Sequence, residues 1–171
     1  CERTGEVTPP PTRFWPGQGN AMITIIVPEN HPEAVAVPAS DRGLAYGDGL
    51  FETILVRNGE PQLLQAHCQR MLDGARRLGI PACETDLVKA VDRVRTRASR
   101  VPEYQVLKLV LTRGSGGRGY RPPSNPEPRL ILSLTAAPPA TPDTGVRTVI
   151  SDIPLTVNPV FAGIKSLNRL E

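Results

Sequence analysis

The dipeptide Asn58-Gly59 constrains this chain more than any other pair of residues. Asn and Gly accept the positive φ angles that a two-residue hairpin turn demands, and here they follow Leu50–Arg57, a β-branched stretch with partial alternation. The spacing predicts a strand over Leu50–Arg57, a tight reversal, and a brief strand around Gln62 to Leu64. Ala66–Leu78 then carries helical spacing, with Cys68, Met71, Leu72, Ala75 and Leu78 on one side, and Gly79 and Pro81 end it. A second helix is expected from about Asp86 to Ser99, capped by Thr85, with Leu87, Val88, Val91 and Val94 on its buried face.

Other strands are expected at Met22–Val27, Val35–Val37, Tyr104–Thr112 and Arg129–Thr135, with turns at Ser40–Gly43 and Gly47–Gly49. Strands surrounding two grouped helices define an α+β domain over residues 22–136. Residues 1–21 lack apolar periodicity and read as an irregular extension. Residues 137–145 have the proline, threonine and glycine content of an interdomain linker. Beyond them, Val146–Ser151 reads as a strand and Ala162–Glu171 as the opening of a helix, so 146–171 reads as the beginning of a second domain.

A hydrophobic fraction of 39% sustains a core, and arginines dispersed along a chain of formal charge +3 argue against a nucleic-acid-binding tail. The same mild charge suits acidic small molecules. Three cysteines, Cys1, Cys68 and Cys83, are odd in number and lack metal-ligand spacing, which favours a reducing compartment and no metal. No apolar run reaches the about 20 residues needed to cross a bilayer, and residues 1–21 lack a secretory signal's apolar centre. The expectation is a soluble, cytoplasmic protein with no nucleic-acid or membrane partner.

Candidate chemistry falls at three places. Lys165 is one of only three lysines, with Lys89 and Lys108, and it lies among small and apolar residues. Such a setting suits a neutral amine that condenses with a carbonyl, although an exposed lysine at a helix start has the same spacing. The Arg113–Tyr120 loop is rich in glycine, whose free backbone N–H groups can face an anion, while Arg113 and Arg118 can fork onto carboxylates. A flexible hairpin with solubilising arginines fits equally well. His67 and Arg70, three residues apart, share a helix face, from which Arg70 could reach a phosphate or simply meet solvent. With only His31 and His67 in the chain, no Ser/His/Asp set is available.

Taken in order, Asp41–Thr53, His67–Met71, the Arg113–Tyr120 loop and Gly163–Glu171 resemble the fold-type IV pyridoxal-phosphate enzymes. These include branched-chain and D-amino-acid aminotransferases and aminodeoxychorismate lyases. The resemblance covers about Met22 to Glu171 and is greatest to the lyase branch, which splits 4-amino-4-deoxychorismate into 4-aminobenzoate and pyruvate. It implies a two-domain D-amino-acid-aminotransferase-like fold, pyridoxal phosphate as cofactor, a small dicarboxylate substrate and a homodimer with its site near the subunit interface. Lys165 matches the lysine that holds the cofactor covalently and moves protons, and Arg70 the arginine that binds its phosphate. Arg118 and Tyr120, with Arg113, fall on the loop lining the substrate side, and Phe51 borders the same pocket. In the family, the carboxylate facing the cofactor's ring nitrogen and further phosphate ligands lie well beyond the lysine. The chain ends at Glu171, which leads to the expectation of an incomplete C-terminal domain and a portion inactive by itself. An aminotransferase of the same family is the neighbouring alternative; a non-catalytic module docking an anion or RNA is the alternative from another class.

Overall fold

A computed structural model of the chain describes residues 23–27, 36–97, 103–154 and 158–169. Its elements are β1 (Ile23–Val27), α1 (Arg42–Tyr46), β2 (Gly49–Arg57), β3 (Glu60–Pro61), α2 (Leu64–Leu78), α3 (Glu84–Arg97), β4 (Tyr104–Thr112) and β5 (Arg129–Ala136). The strands form one antiparallel sheet in the order β1-β5-β4-β2-β3.

The turn at Asn58-Gly59 forms as its chemistry requires, with φ of 49° and 80° at the two residues and Arg57 paired with Glu60. The returning strand is only Glu60–Pro61, not Gln62–Leu64. Leu63 takes a left-handed φ of 54°, which swings the chain off the sheet and starts α2 two residues before Ala66. Similarly, α3 starts at Glu84, so Thr85 lies inside the helix rather than capping it.

Alternation along the strands sets one face of the sheet against the helices. Leu50, Ile54 and Val56 of β2, Leu107, Leu109 and Leu111 of β4, and Leu130, Leu132 and Leu134 of β5 are buried there. They pack with Cys68, Met71 and Ala75 of α2 and with Leu87, Ala90, Val91 and Val94 of α3. The expected Leu72, Leu78 and Val88 are only half-buried. Cys68 and Cys83 are free thiols, and burial pushes that of Cys68 above its ordinary value.

Where turns were expected at Ser40–Gly43, a short helix forms. Asp41 caps α1 by accepting from the Gly43 N–H at 2.8 Å, and Gly47 ends it in the left-handed region. Asp41 is fully buried and also accepts from Thr112 Oγ1 at 2.9 Å and Arg129 Nη1 at 2.5 Å, so one carboxylate joins α1 to β4 and β5. Ala36 and Val37 are not in a strand; Val35, like residues 1–21, Met22 and Ser99, lies outside the described residues.

Two expectations near the end fail. Val146–Ser151 forms no strand; Val146, Val149 and Ile150 are exposed and have no partner strand among the described residues. Residues 162–169 do not open a helix, and Leu170 and Glu171 lie outside the described residues. Because β3 covers only the Val56–Arg57 end of β2, the Gly49–Phe51 end would leave backbone groups unpaired. Lys165–Leu167 fills that edge: Phe51 N–H donates to Lys165 O at 3.1 Å and Leu167 N–H to Gly49 O at 3.0 Å. Gly49 permits the approach, since a Cβ there would lie 2.4 Å from Leu111 O and 2.9 Å from Leu167 Cδ1. Ile164, buried beside this edge, joins the core. Arg77 of α2 holds the preceding turn through the carbonyls of Val160 and Ala162, each at 2.8 Å.

Candidate active site

The period of two along β2 puts Glu52 in the same row as Leu50, Ile54 and Val56. It is a carboxylate in an apolar stripe, 1% exposed. A buried charge needs partners, and α2 supplies them. Arg70 donates from Nε to Oε1 at 2.6 Å and from Nη2 to Oε2 at 2.5 Å, and His67 Nδ1 lies 2.8 Å from Oε2. The three-residue spacing of His67 and Arg70 thus serves one acceptor. Lys165 Nζ, carried in on the edge of β2, lies 3.7 Å from the same Oε2 and 4.9 Å from the centroid of the Phe51 ring. Lys108 Nζ approaches that ring at 5.8 Å.

Burial pushes the Glu52 carboxyl up. The Arg70 and His67 hydrogen bonds, with the charges of Arg70 and Lys165, outweigh that and hold it below the ordinary glutamate value. Glu52 in turn raises the Arg70 guanidinium. An ionised Oε2 only accepts, which assigns the shared hydrogen to His67 Nδ1. Sequence reasoning assigned no role to Glu52; the charge interrupting the β2 apolar row was the signal.

A second cluster surrounds Asp48. Arg42 Nε and Arg113 Nε donate to its Oδ2 at 2.7 and 2.8 Å. Arg113 corrects an expectation: it does not face a substrate. It is buried, and its Nη1 and Nη2 donate to the carbonyls of Gly79 (2.8 Å) and Leu78 (2.7 Å) at the C-terminal end of α2. Such carbonyls have no partner within the helix and carry partial negative charge, so a buried guanidinium is well matched to them. The remaining arms of Arg42 hold the loop, donating to the carbonyls of Tyr120 at 2.8 Å and Gly119 at 3.2 Å. Its guanidinium sits 4.9 Å from the Tyr46 ring centroid, which is 5.4 Å from that of Tyr120. Arg118 and Tyr120 are exposed, and among the described residues no hydrogen bond or ring contact joins them to Lys165.

Burial also pushes Asp48 up, but hydrogen bonds and charge from Arg113 and Arg42 prevail and lower it below the ordinary aspartate value. Groups lowered on folding contribute stability that is complete above the unfolded carboxylate range and is lost as pH falls through the folded values. Melting temperature should therefore hold down to about pH 5 and fall below about pH 4. Asp48→Asn should lower the neutral value and flatten that acid limb; an unchanged limb in a pH-resolved melting series would contradict the assignment.

The antiparallel sheet with its two helices has its structural neighbours among the fold-type IV pyridoxal-phosphate enzymes. The amino-transferase class IV family profile matches residues 49–171, and the chain belongs to that family, whose members use pyridoxal phosphate. It is 33% identical over 148 residues to the aminodeoxychorismate lyase of Vibrio harveyi, an alignment covering 85% of this chain and 52% of that protein. A D-amino-acid transaminase from Arabidopsis thaliana is 29% identical over 140 residues, covering 81% of this chain and 37% of the other. The crystal structure of 4-amino-4-deoxychorismate lyase from Pseudomonas aeruginosa superposes with a TM-score of 0.69 at 40% identity, covering 86% of this chain and 53% of that one. The chain thus spans about half the length of the lyases it matches.

Proposed function

We propose that this chain carries the lysine-bearing portion of a pyridoxal-phosphate lyase that converts 4-amino-4-deoxychorismate to 4-aminobenzoate and pyruvate. The observation that supports this best is the meeting of Lys165 Nζ and Arg70 Nη2 at one carboxylate oxygen of Glu52. The residues fit the cofactor chemically: the Arg70 side chain is half exposed, its Nη1 has no hydrogen bond among the described residues, and the Lys165 side chain is 33% exposed. Arg70 would hold the phosphate and Lys165 the aldehyde carbon. Bound pyridoxal phosphate supplies that aldehyde and a ring that accepts an electron pair.

The chain's own part is proton movement and orientation. The Lys165 amine takes the proton from the ring carbon bearing the substrate's nitrogen. The adjacent carbon–oxygen bond breaks, enolpyruvate leaves, and the ring becomes aromatic. The Lys165 ammonium returns the proton as enolpyruvate becomes pyruvate. Phe51 covers one side of the amine. Arg118 and Tyr120 orient the substrate's carboxylates, while Arg42 holds their loop. Residues 146–171 begin the second domain, after a linker at 137–145, and the protein works as a homodimer.

The test is to incubate the full-length protein with cofactor and 4-amino-4-deoxychorismate and to measure 4-aminobenzoate and pyruvate. Equal release of both supports the lyase. Rapid amino transfer from an amino acid to a keto acid, with no 4-aminobenzoate, favours the aminotransferase reading, to which the similarity to a transaminase lends weight. Arg118→Ala should raise KM about tenfold or more, the usual worth of a charged hydrogen bond, with cofactor affinity unchanged. An unchanged KM removes Arg118 from the substrate side.

A further inference from the structure

Resting on the reading of Arg70 and Lys165 as cofactor-holding groups, we propose that Glu52 is the positioning residue that aims the Arg70 guanidinium at the cofactor phosphate. Its carboxylate takes the Nε and Nη2 edge of the arginine at 2.6 and 2.5 Å. A guanidinium is planar, so fixing that edge fixes the direction of the Nη1 end as well. That end has no hydrogen bond among the described residues, on a side chain that is 49% exposed.

Stability alone is a poor reason for this arrangement. A carboxylate with 1% exposure has been withdrawn from water on β2, in a row otherwise filled by Leu50, Ile54 and Val56. Buried ion pairs are often no more stabilising than well-packed apolar residues of similar volume. What an apolar residue at position 52 could not do is fork an arginine and also meet a lysine. Oε2 is touched by Arg70 Nη2 from α2, by His67 Nδ1 at 2.8 Å one helical turn earlier, and by Lys165 Nζ at 3.7 Å from the edge segment. Two stretches of chain far apart in sequence, α2 and the edge segment, are thereby registered on one oxygen of β2. The carboxylate fixes where the phosphate-holding group stands relative to the amine, and a ligand carrying both a phosphate and an aldehyde needs that spacing set before it binds.

The neutral isostere breaks the fork. Glu52→Gln keeps the volume, but one of its two positions becomes an N–H₂ donor, which cannot accept from Arg70. The guanidinium then loses one of its two anchors. The measurement compares dissociation constants for pyridoxal phosphate and for pyridoxal, which lacks the phosphate, using the full-length protein. Glu52→Gln should reduce the preference for the phosphorylated ligand about tenfold or more, the effect of losing an orienting charged hydrogen bond, while pyridoxal affinity falls by less, since Lys165 meets Oε2 only at 3.7 Å. Glu52→Asp keeps the charge but draws the fork back by one methylene; it should also reduce the preference, and it decides the matter if Glu52→Gln does not fold. A wild-type preference in the folded variant, or equal weakening of both ligands as a merely structural residue would give, overturns the proposal. Arg70→Ala separates the two levels. If it abolishes the preference while the Glu52 variants retain it, only the role of Glu52 is lost. If it leaves the preference intact, the cofactor reading of Arg70 fails and takes the proposal with it.

Discussion

Replacing Lys165 with alanine is expected to lower 4-aminobenzoate release by at least about 10²–10⁴-fold, the range for loss of a positioned proton-transfer group, while the protein still folds. The chemical reason is that among the described residues no other lysine pairs with Glu52: Lys108 approaches only the Phe51 ring, at 5.8 Å, and Lys89 lies on α3. The structural reason for intact folding is equally local. The edge pairing with β2 uses the backbone of residues 165 and 167, not the lysine side chain. That side chain is one-third exposed, and Arg70 and His67 still partner the Glu52 carboxylate without it, so its removal should cost no more than about 1 kcal/mol. Lys165→Arg keeps a positive charge beside Glu52 but cannot present a neutral amine, and it should be as inactive as the alanine variant. Borohydride reduction with cofactor present, followed by peptide mapping, should fix label on Lys165 in the wild type and none in either variant. Retained turnover in a folded Lys165→Ala protein would sink the lyase mechanism.

The elements legible in the sequence are those whose partners are close in the chain or whose apolar rows run long. β2, β4 and β5 show period two, and α2 and α3 show helical spacing, because each buries one face in a single core. Where partners are remote, the reading misleads. Residues 162–169 carry helix formers, yet the open edge of β2, more than a hundred residues earlier, supplies the backbone partners that hold Lys165–Leu167 extended. Val146–Ser151 has strand propensity but exposes Val149 and Ile150, since a strand needs a neighbour and not only β-branched residues. Arg113 belongs to a loop that suggests anion contact. Its actual partners are the α2 C-terminal carbonyls and Asp48, and no spacing rule connects those positions. Glu52 was readable in principle, because a charge in an apolar row has to be neutralised, and His67 and Arg70 share the face of α2 that can do it.

Asp41→Ala should cost about 3–5 kcal/mol, the range for stripping the partner from a buried charge. Asp41 is 0% exposed and Arg129 only 7%, so water cannot replace the lost carboxylate around the guanidinium. The same change removes the acceptor for Thr112 Oγ1 and the cap on the Gly43 N–H, a cap alone being worth about 1 kcal/mol. Asp41→Asn keeps one acceptor oxygen and should lose less. The double variant Asp41→Asn with Arg129→Met removes both charges and should recover part of the loss, because the penalty lies mainly in the abandoned cation. Denaturant melts of the wild type, Asp41→Asn, Arg129→Met and the double variant give the coupling directly. A loss below about 1 kcal/mol for Asp41→Ala would mean that the pair is solvated in solution. The effect should also reach the loop proposed to orient the substrate. Arg42 opens α1 immediately after the Asp41 cap and grips the carbonyls of Gly119 and Tyr120, so loosening α1 frees the loop that carries Arg118. At temperatures where Asp41→Asn remains folded, KM should therefore rise while pyridoxal-phosphate affinity, which the proposed function assigns to Arg70 and Lys165, stays unchanged.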